Sequence, residues 1–422
     1  MIYKLINKIN SNPKSNLFFI SPLIYGIGNA AEQINIAASY AKKRNKKIII
    51  IKIFLLKKIL KYSVCNHAIF HDLSIDNSKN NKFIEFFLNF FVSLEFIFRR
   101  SFILICRKFF KTKFREQSNF PNLGINEIYG NNKVNLKKYD YENIKQFNLQ
   151  KNLIDLKVKK KIYCENLLKK FKLDKFENLV CIHVRDHYFR NDIEKKNYRN
   201  SDINNYIDSI QYLIENNYKV IRMGKLGKKI NFEHKNFIDY PAVDKKEDIF
   251  DLYLINKCKF FIGTQSGIID IAYMFNKPVY TTNMVELYST FPRKKIDRGI
   301  FKKAFFKKKN RKILIDEFLK LPFKYHDPQV QIDDINFIEN NPDDILSGLI
   351  EFISAIDNNT QPNNRQVEFL RLLKDQHKNL FNIRNSEYSM LAQVDNLKWI
   401  RMFKSCKGYL CDKSLEDFNI VK

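Results

Sequence analysis

The segment Leu179-Val-Cys-Ile-His-Val-Arg-Asp186 is a short apolar run that ends in two basic side chains, His183 and Arg185. A continuous apolar run of this length is typical of a strand buried on both faces, as in a parallel sheet. Because side chains alternate across a strand, His183 and Arg185 lie on the same side of it. The elements that follow this strand decide the fold.

From this strand onward, predicted strands and helices alternate. In order, they are a helix that begins at Ser201-Asp202, strands at 218–223 and 236–240, a helix at 247–258, a strand at 259–263, a helix at 268–275 and a strand at 278–281. This alternation predicts an α/β fold with a doubly wound parallel sheet. Ligands of such sheets bind outside the carboxyl ends of the strands, where His183 and Arg185 lie.

A second unit of the same kind is predicted near the start of the sequence. A strand at 16–20 is followed by the turn Gly26-Ile-Gly28-Asn29, a helix that runs to residue 43 and a strand at 47–52, which together make a βαβ unit. Gly26 and Gly28 allow a tight turn that presents backbone N–H groups to an anion at the start of the helix. An ordinary tight turn without a ligand is the alternative.

The chain of 422 residues is long enough for two domains with separate cores. We expect two Rossmann-like domains, at 1–170 with a linker at its end and at 171–300, and then a mostly helical extension at 301–422. The seven cysteines, an odd number without a C-x-x-C pair, favour neither a disulfide framework nor a zinc site. No convincing secretory signal is present, so a cytoplasmic location is expected.

The formal net charge of +29 raises the question of nucleic-acid binding. Lysine is abundant along the whole chain, however, and no single domain holds the excess charge. This distribution is typical of a compositional bias, and nothing in the motifs resembles a module that reads nucleic-acid grooves or stacks bases. We therefore expect no nucleic-acid partner, although a basic surface also suits an anionic membrane or a phosphorylated substrate.

Residues 83–110 are rich in phenylalanine and isoleucine but include the charged residues Glu85, Glu95, Arg99 and Arg100. A membrane-spanning helix tolerates such charges poorly. Two interpretations stay open. One is an amphipathic helix that lies on an anionic membrane surface, which would make the protein peripheral to the inner membrane. The other is a pair of helices packed in the core.

The carboxyl end of the first strand has two candidate roles. Arg185 is placed to pair with two oxygens of a phosphate, with His183 beside it. Alternatively, Arg185 forms a salt bridge with a carboxylate such as Asp186 at the rim of the sheet. Arg222 leaves a neighbouring strand at the same edge, where it either binds phosphate or pairs with Asp239.

The turn Gly263-Thr-Gln-Ser-Gly267 joins a predicted strand to a helix at this edge. Ser266 is expected to cap the helix through its hydroxyl. The N–H groups at Thr264, Ser266 and Gly267 and the helix dipole favour an anion here, although a cap without a ligand is sufficient structurally. Two anion sites on one parallel sheet favour a bound phosphate or diphosphate. Arg190 and Arg199 are further candidates for a phosphate clamp.

These segments resemble a family of bacterial glycosyltransferases associated with surface-polysaccharide loci. The similar segments are Val180-Cys-Ile-His-Val-Arg-Asp186, Tyr198-Arg-Asn-Ser-Asp202, Val220-Ile-Arg-Met-Gly224, Phe260-Phe-Ile-Gly-Thr-Gln-Ser-Gly267, Lys277-Pro-Val279 and Thr282-Asn283. The His-x-Arg element and the Gly-Ile-Gly-Asn turn are similar, more loosely, to the fucosyltransferase superfamily, which has the GT-B fold. The first resemblance covers roughly residues 175–290 and is fairly specific as an ordered set.

This resemblance implies a nucleotide-sugar donor on the domain from 171 and an acceptor at the N-terminal domain. It implies that Arg185 neutralises the diphosphate of the leaving group in place of a metal, since fixed donors aimed at developing charge stabilise the transition state. The chain contains no D-x-D sequence, which mildly favours chemistry without a metal. We expect no cofactor besides the nucleotide-sugar substrate. A second arginine commonly stands where this chain has Asp186, which disfavours a GDP-fucose donor.

The leading hypothesis is an inverting, metal-independent glycosyltransferase that acts on a glycan or lipid-linked acceptor in polysaccharide or lipopolysaccharide synthesis. Its general base is sought among Asp186, His187 and Asp202, with Asp186 the first choice. A sugar-nucleotide epimerase with the same architecture is an alternative enzyme, and a basic nucleic-acid-binding protein is the alternative outside catalysis.

Overall fold

The computed structural model describes residues 2–24, 26–52, 64–76, 82–110, 123–129, 153–170, 178–187, 198–225, 227–243, 246–285, 291–314, 317–318, 334–382 and 406–417. The chain forms two compact units, Met1–Cys164 and Glu165–Lys422. The sequence-predicted anion turn at Gly26 lies in the first unit, and the candidate phosphate site lies in the second.

The first unit contains the predicted βαβ element. Helix α1 (Ile2–Ser11) precedes strand β1 (Leu17–Ile20), helix α2 (Ile27–Lys43) and strand β2 (Lys47–Ile50). The two strands are parallel, with Leu17 opposite Lys47. The order of strand, glycine turn, helix and strand is therefore confirmed.

The rest of the first unit differs from a Rossmann-like domain. Its remaining elements are α3 (Ala68–His71), β3 (Leu73–Ile75), α4 (Lys82–Phe110), α5 (Ile125–Tyr129), β4 (Ile154–Leu156) and α6 (Val158–Lys170), the last of which continues into the second unit. Strands β3 and β4 form a separate antiparallel pair. Residues 154–156, expected in a linker, are thus a strand. In the described residues of this unit, the parallel sheet has two strands.

Helix α4 is continuous, so the pair of helices, one of the two interpretations of this segment, is wrong. One side of α4 is buried, because Val92 and Phe96 pack in a core with Phe19 and Ile49. Much of the other side is exposed, including Phe98 at 70%. Among the described helices, none is long and apolar enough to cross a membrane.

The second unit is built on parallel strands. Its strands are β5 (Leu179–His183), β6 (Lys219–Arg222), β7 (Phe237–Asp239), β8 (Phe260–Thr264), β9 (Val279–Met284), β10 (Arg298–Phe301), β11 (Lys303–Phe306), β12 (Arg311–Lys312), β13 (Ile335–Ile338) and β14 (Tyr409–Leu410). Its helices are α7 (Ile207–Glu215), α8 (Asp248–Lys257), α9 (Ile268–Met274), α10 (Pro342–Asp357), α11 (Asn364–Asn382) and α12 (Asp412–Asp417), and 3₁₀ turns lie at Ile203–Tyr206 and Tyr240–Ala242.

Seven strands form one parallel sheet in the order β14-β10-β9-β8-β5-β6-β7. From β5 the chain moves outward through β6 and β7, returns to the other side of β5 at β8, and then moves outward again. The direction of winding therefore reverses between β5 and β8, which are paired with Ile182 opposite Ile262. The predicted α/β doubly wound sheet is confirmed, and its switch point is the common ligand position of such folds.

Helices cover this sheet in the way that doubly wound sheets require. Val180 and Ile182 of β5 share a buried core with Leu213 of α7 and Leu349 of α10. Helix α8 packs against β5, and α9 packs against β8. Both strands at the switch point are therefore covered by helices.

The chain after residue 300 is not an extension separate from the sheet, although most of its described residues are helical, as expected. The expected boundary at 300 falls inside β10, and β14 forms an edge of the main sheet beside β10. Strands β12, β11 and β13 form a small antiparallel sheet. The reason is a shared core, in which Phe301 and Ile335 pack against Phe369 of α11. Trp399 lies outside the described residues.

Candidate functional site

The strands on either side of the switch point are joined by side chains at their carboxyl ends. His183 is the last residue of β5, and its Nδ1 lies 3.1 Å from the hydroxyl Oγ of Ser266, just after β8. The backbone N–H of Arg185 donates to Oγ1 of Thr264 at 2.9 Å. The predicted meeting of these two segments at one sheet edge is confirmed by these contacts.

His183 is held in its neutral form. Burial in the surrounding protein lowers the pKa of His183 to about 4, and the nearby charges of Arg185 and Arg222 act in the same direction. Gly224 makes room for the ring, since a Cβ on Gly224 would lie 2.9 Å from Cδ2 of His183. Gly224 also has a φ of 112°, a conformation that favours glycine. A neutral imidazole can both donate and accept a hydrogen bond.

We expected Ser266 to cap the following helix through its hydroxyl, but it does not. Helix α9 begins at Ile268, and its N-cap position is taken by Gly267, which has no side chain to form a capping hydrogen bond. The hydroxyl of Ser266 instead contacts His183. Gln265, which is also buried, accepts the backbone N–H of Val285 through Oε1 at 2.8 Å. The turn is thus fixed to the ends of both neighbouring strands.

Arg185 is buried at the same edge and is 6% exposed. Its Nε donates to Oδ1 of Asn200 at 3.1 Å, and its backbone carbonyl accepts the N–H of Ser201 at 2.8 Å. These bonds hold Asn200 and Ser201 beside the carboxyl end of β5. The guanidinium of Arg185 is therefore held in place by the protein before any ligand binds.

Lys302 is a second buried cation at this edge, and the sequence analysis missed it. It follows β10 directly, its side chain is 4% exposed, and its Nζ donates to the carbonyl of Asn200 at 2.6 Å. Burial lowers the pKa of Lys302 to about 8, although Glu339, 4.0 Å away, acts to raise it. Lys302 follows an apolar run directly, which is the same signal that identified Arg185. It was not considered because the sequence analysis assigned residues 301–422 to an extension.

Asp186 holds the loop after β6. Its Oδ2 accepts the backbone N–H of Lys228 at 2.9 Å, and a Cβ on Gly227 would lie 1.9 Å from the same oxygen. Only glycine fits beside this carboxylate without a shift of the loop or the side chain. The predicted role of Asp186 as a general base is compatible with this position and stays a prediction.

Asp202 continues the polar network from the loop after β6. Its carboxylate forms an ion pair with Nζ of Lys228, and its backbone N–H donates to Glu339 at 2.9 Å. Burial acts to raise the pKa of Asp202, but the hydrogen bonds from Lys228 and from the N–H of Asn204 hold it below the usual value. Asp202 also caps the 3₁₀ turn that leads into α7. Its carboxylate is thus ionised at neutral pH and engaged in the fold.

Arg222 forms the salt bridge that we considered as its alternative role. Its Nη1 lies 3.3 Å from both carboxylate oxygens of Asp239, and its Nη2 donates to the carbonyl of Lys228 at 2.7 Å. The side chain is 3% exposed. These bonds tie β6 to β7 and to the loop that Asp186 holds, so phosphate binding would require Arg222 to leave a buried pair.

A buried polar cluster supports the edge beside β9. The hydroxyl of Tyr206 lies 2.7 Å from Oγ1 of Thr282 and accepts a hydrogen bond from Asn283 at 3.1 Å. Oδ1 of Asn283 in turn accepts the N–H of Asn340 at 2.8 Å. Burial raises the pKa of Tyr206, so its hydroxyl stays protonated. The Thr282-Asn283 motif thus positions the segments that hold Asn200 and Glu339.

Asp251, in the first turn of α8, was also missed. Burial raises the pKa of Asp251 to about 7. This effect is larger than that of the nearby Lys246, which lowers the pKa. In the part of the chain that the structure describes, its Oδ1 is buried and accepts no hydrogen bond. Lys246 donates to the carbonyl of Gly224, the residue that packs on His183, at 2.7 Å. The motif Asp248-Ile-Phe-Asp251 is an ordinary helix start by sequence, so only the fold singles out this carboxyl.

The remaining predicted residues are placed as follows. Gly26 precedes the first turn of α2, Gly28 is buried in that turn, and Asn29 is exposed on it. His187 is exposed directly after Asp186, and Arg199 precedes Asn200. Arg190 lies outside the described residues. The predicted anion turn at Gly26–Asn29 lies in the first unit, and its role in binding an anion stays a prediction.

Comparison with known proteins gives little to add to this geometry. No protein-family model matches the chain, and no curated protein matches it. A glycosyl transferase family 9 from Veillonella parvula, solved by crystallography, is similar over 64% of this chain and 82% of its own, with 8% sequence identity and a TM-score of 0.35. A likeness at that TM-score is too low to support an argument about fold or function.

Proposed function

We propose that the chain is a glycosyltransferase. It would move a sugar from a nucleotide diphosphate sugar to a glycan or lipid-linked acceptor of surface polysaccharide or lipopolysaccharide, with inversion and without a metal. The proposal rests on one observation above all. Arg185 and Lys302, both buried, meet on Asn200 at the carboxyl edge of a doubly wound sheet.

The electrostatics of this edge suit a diphosphate. The lowered pKa of Lys302 means that burial outweighs the attraction of Glu339, so this cation is incompletely compensated by the protein. A dianionic ligand beside Lys302 and Arg185 would supply the missing negative charge. Because both cations are already fixed by Asn200, they would stabilise the charge that develops on the leaving diphosphate without reorganising.

The switch point supplies the polar groups that would orient the donor. The neutral ring of His183 and the hydroxyl of Ser266 lie together there, and while they are bonded to each other one of the two, either Nε2–H of His183 or O–H of Ser266, can donate a hydrogen bond to a phosphate oxygen. The segments that resemble the bacterial glycosyltransferases, including Val180–Asp186 and Phe260–Gly267, end at this point. Arg222 is left out of the proposed donor site because its guanidinium is paired with Asp239.

Asp186 is proposed as the general base, and its position allows a clear test. If Asp186 takes the proton of the acceptor hydroxyl, Asp186→Asn should lower kcat by about 100-fold or more while KM for the donor changes little. If it only anchors the loop through Lys228, the same change should mainly raise KM and lower the melting temperature. Asp202→Asn is the matched control in the same network.

The proposed activity is tested by product analysis. The purified chain is incubated with UDP-, GDP-, CDP- and dTDP-sugars, with and without lipid-linked glycans extracted from bacterial membranes, and products are identified by mass spectrometry. We expect release of one nucleotide diphosphate that depends on an acceptor, reduced about 100-fold or more in Arg185→Met. Arg371→Met, which removes an exposed arginine of α11, should keep full activity. Conversion of a sugar nucleotide without an acceptor would instead identify an epimerase.

A further inference from the structure

Helix α4 bears a continuous exposed apolar stripe. Its members recur every three or four residues, which places them on one side of the helix. They are the exposed residues Phe87, Phe91, Phe98, Phe102, Ile105 and Phe109 and the half-buried Leu94. Phe98, Phe102 and Phe109 are 70%, 66% and 71% exposed. From the first member to the last, the stripe is about 33 Å long at the rise of an α-helix.

The opposite side of α4 is anchored in the first unit. Leu88, Val92 and Phe96 belong to its core or pack against it. The stripe is thus exposed on a helix whose other face is part of the core. Exposed apolar residues on a protein surface are usually scattered singly, whereas these form a row. The aromatic rings also contact one another along the helix, with Phe87 and Phe91 stacked at 6.2 Å.

Charge on α4 is divided along its length, with the acidic residues in the first half and the basic residues concentrated in the second. Both carboxylates of the helix are engaged by the rest of the first unit, since Glu85 pairs with Lys52 at 3.3 Å and Glu95 accepts the backbone N–H of Tyr3 at 3.1 Å. The sequence from 96 to 115, in contrast, contains seven basic residues and no acidic one. Lys108, one of these, is exposed beside Phe109.

We infer that α4 binds an anionic lipid bilayer by lying in its interface. Phenylalanines would enter the boundary between headgroups and acyl chains, while Lys108, which is exposed, would contact the anionic headgroups and the net positive charge of this part of the sequence would add a longer-range attraction. Charge disfavours a second copy of this chain as the occupant of the stripe. Parallel pairing of two α4 helices would bring together two segments, 96–110 of each copy, that each have four basic residues and no acidic one. This surface is independent of the proposed catalytic activity.

Vesicle flotation with the full chain tests the inference. The probes are vesicles of phosphatidylcholine alone and vesicles in which about a third of the lipid is phosphatidylglycerol. We expect flotation with the anionic vesicles, weaker binding in high salt and little binding to the neutral vesicles. The stripe variant, Phe98→Glu with Phe102→Glu and Phe109→Glu, should bind at least about tenfold more weakly.

A matched control separates the stripe from general charge. The control variant, Val158→Glu with Ile162→Glu and Ile350→Glu, changes the net charge equally at other exposed apolar positions. It should float like the unmodified chain, and circular dichroism should show both variants folded. Equal loss in both variants, or no flotation with anionic vesicles, would overturn the inference. A third outcome would also overturn the inference. In it, light scattering shows a dimer that only the stripe variant abolishes, and the chain does not bind vesicles.

Discussion

Nδ1 of His183 and Oγ of Ser266 lie 3.1 Å apart across the point at which the winding of the seven-stranded sheet reverses. His183 ends β5, and Ser266 follows β8. These strands are neighbours in the sheet, although about eighty residues separate the two side chains in sequence. The contact therefore depends on the whole fold of the second unit, and it brings a neutral ring and a hydroxyl to the usual ligand position of such sheets.

Loss of the Ser266 hydroxyl should weaken nucleotide binding without unfolding the protein. Ser266→Ala removes the hydrogen bond with His183, and with it either the O–H that donates to the ligand or the acceptor that orients the ring, which should lower nucleotide affinity about 5- to 10-fold. Ser266→Thr keeps the hydroxyl and is the matched control. Calorimetric titration of both variants measures the effect, and equal affinities for Ala and Thr would show that the hydroxyl has no part in binding.

His183 should stay neutral down to acidic pH. Its pKa is lowered from 6.5 to about 4 in the folded chain, so the unfolded chain binds a proton that the folded chain does not as pH falls through this window. Stability contributed by neutral His183 should therefore fall between pH 6.5 and about 4. Nitrogen NMR of the imidazole gives its pKa directly. A midpoint near 6.5 would contradict the described environment.

Lys302 should lower stability and raise affinity for nucleotide at the same time. Because its pKa is reduced from 10.5 to about 8, burial of its charge costs stability at every pH below that value, and the cost disappears as pH rises toward 10.5. At neutral pH, Lys302→Met should therefore raise the free energy of unfolding by about 1 kcal/mol. The same variant should bind nucleotide at least about tenfold more weakly. Lower stability with unchanged binding would make Lys302 a purely structural residue.

Arg222 should act mainly in folding. Arg222→Met leaves Asp239 without its buried partner and should lower the free energy of unfolding by about 3 kcal/mol. The double variant with Asp239→Asn should be less destabilised than the sum of the single variants, because the two residues interact directly. Denaturant unfolding measures this coupling. In folded Arg222→Met, a nucleotide affinity reduced more than about tenfold would return Arg222 to the donor site.

Asp251 should make the protein less stable at alkaline pH. Its pKa is raised from 3.8 to about 7 in the folded chain, so the folded chain keeps a proton that the unfolded chain has lost between these values. Stability should therefore fall as pH rises through this window. Asp251→Asn should be more stable than the unmodified chain by on the order of 2 kcal/mol above about pH 8 and no more stable near pH 4. A gain that is equal at both pH values would contradict this cause.

Local patterns in the sequence predicted most of the second unit. The alternation after Leu179 identified strands β5 to β9 and the helices between them, because each has its own apolar pattern and turn signals. The strands after residue 297 were missed, since β10, β11 and β14 are short and flanked by charges, and their places depend on pairing with distant strands. The first unit was harder to predict, because most of α4 exposes phenylalanine rather than burying it.

The site was predicted in outline but not in its partners. Basic and hydroxyl residues after the strands indicated the sheet edge, and His183, Thr264 and Ser266 do meet there. The partner of each side chain depends on contacts between segments that are distant in sequence. The hydroxyl of Ser266, for example, contacts His183 and does not cap the helix that follows it. Lys302 could not be ranked from sequence, because its burial depends on Asn200 from a loop about a hundred residues earlier.

Direct titration of nucleotide diphosphates tests the central claim, that Arg185 and Lys302 bind a diphosphate at the switch-point edge. GDP, UDP, CDP and dTDP are titrated by calorimetry into the unmodified chain, Arg185→Met, Lys302→Met and the exposed control Arg371→Met. We predict that one nucleotide binds, that both buried-cation variants lose at least about tenfold in affinity, and that the control binds normally. Binding of none of the four, or equal binding by all four proteins, would contradict the claim.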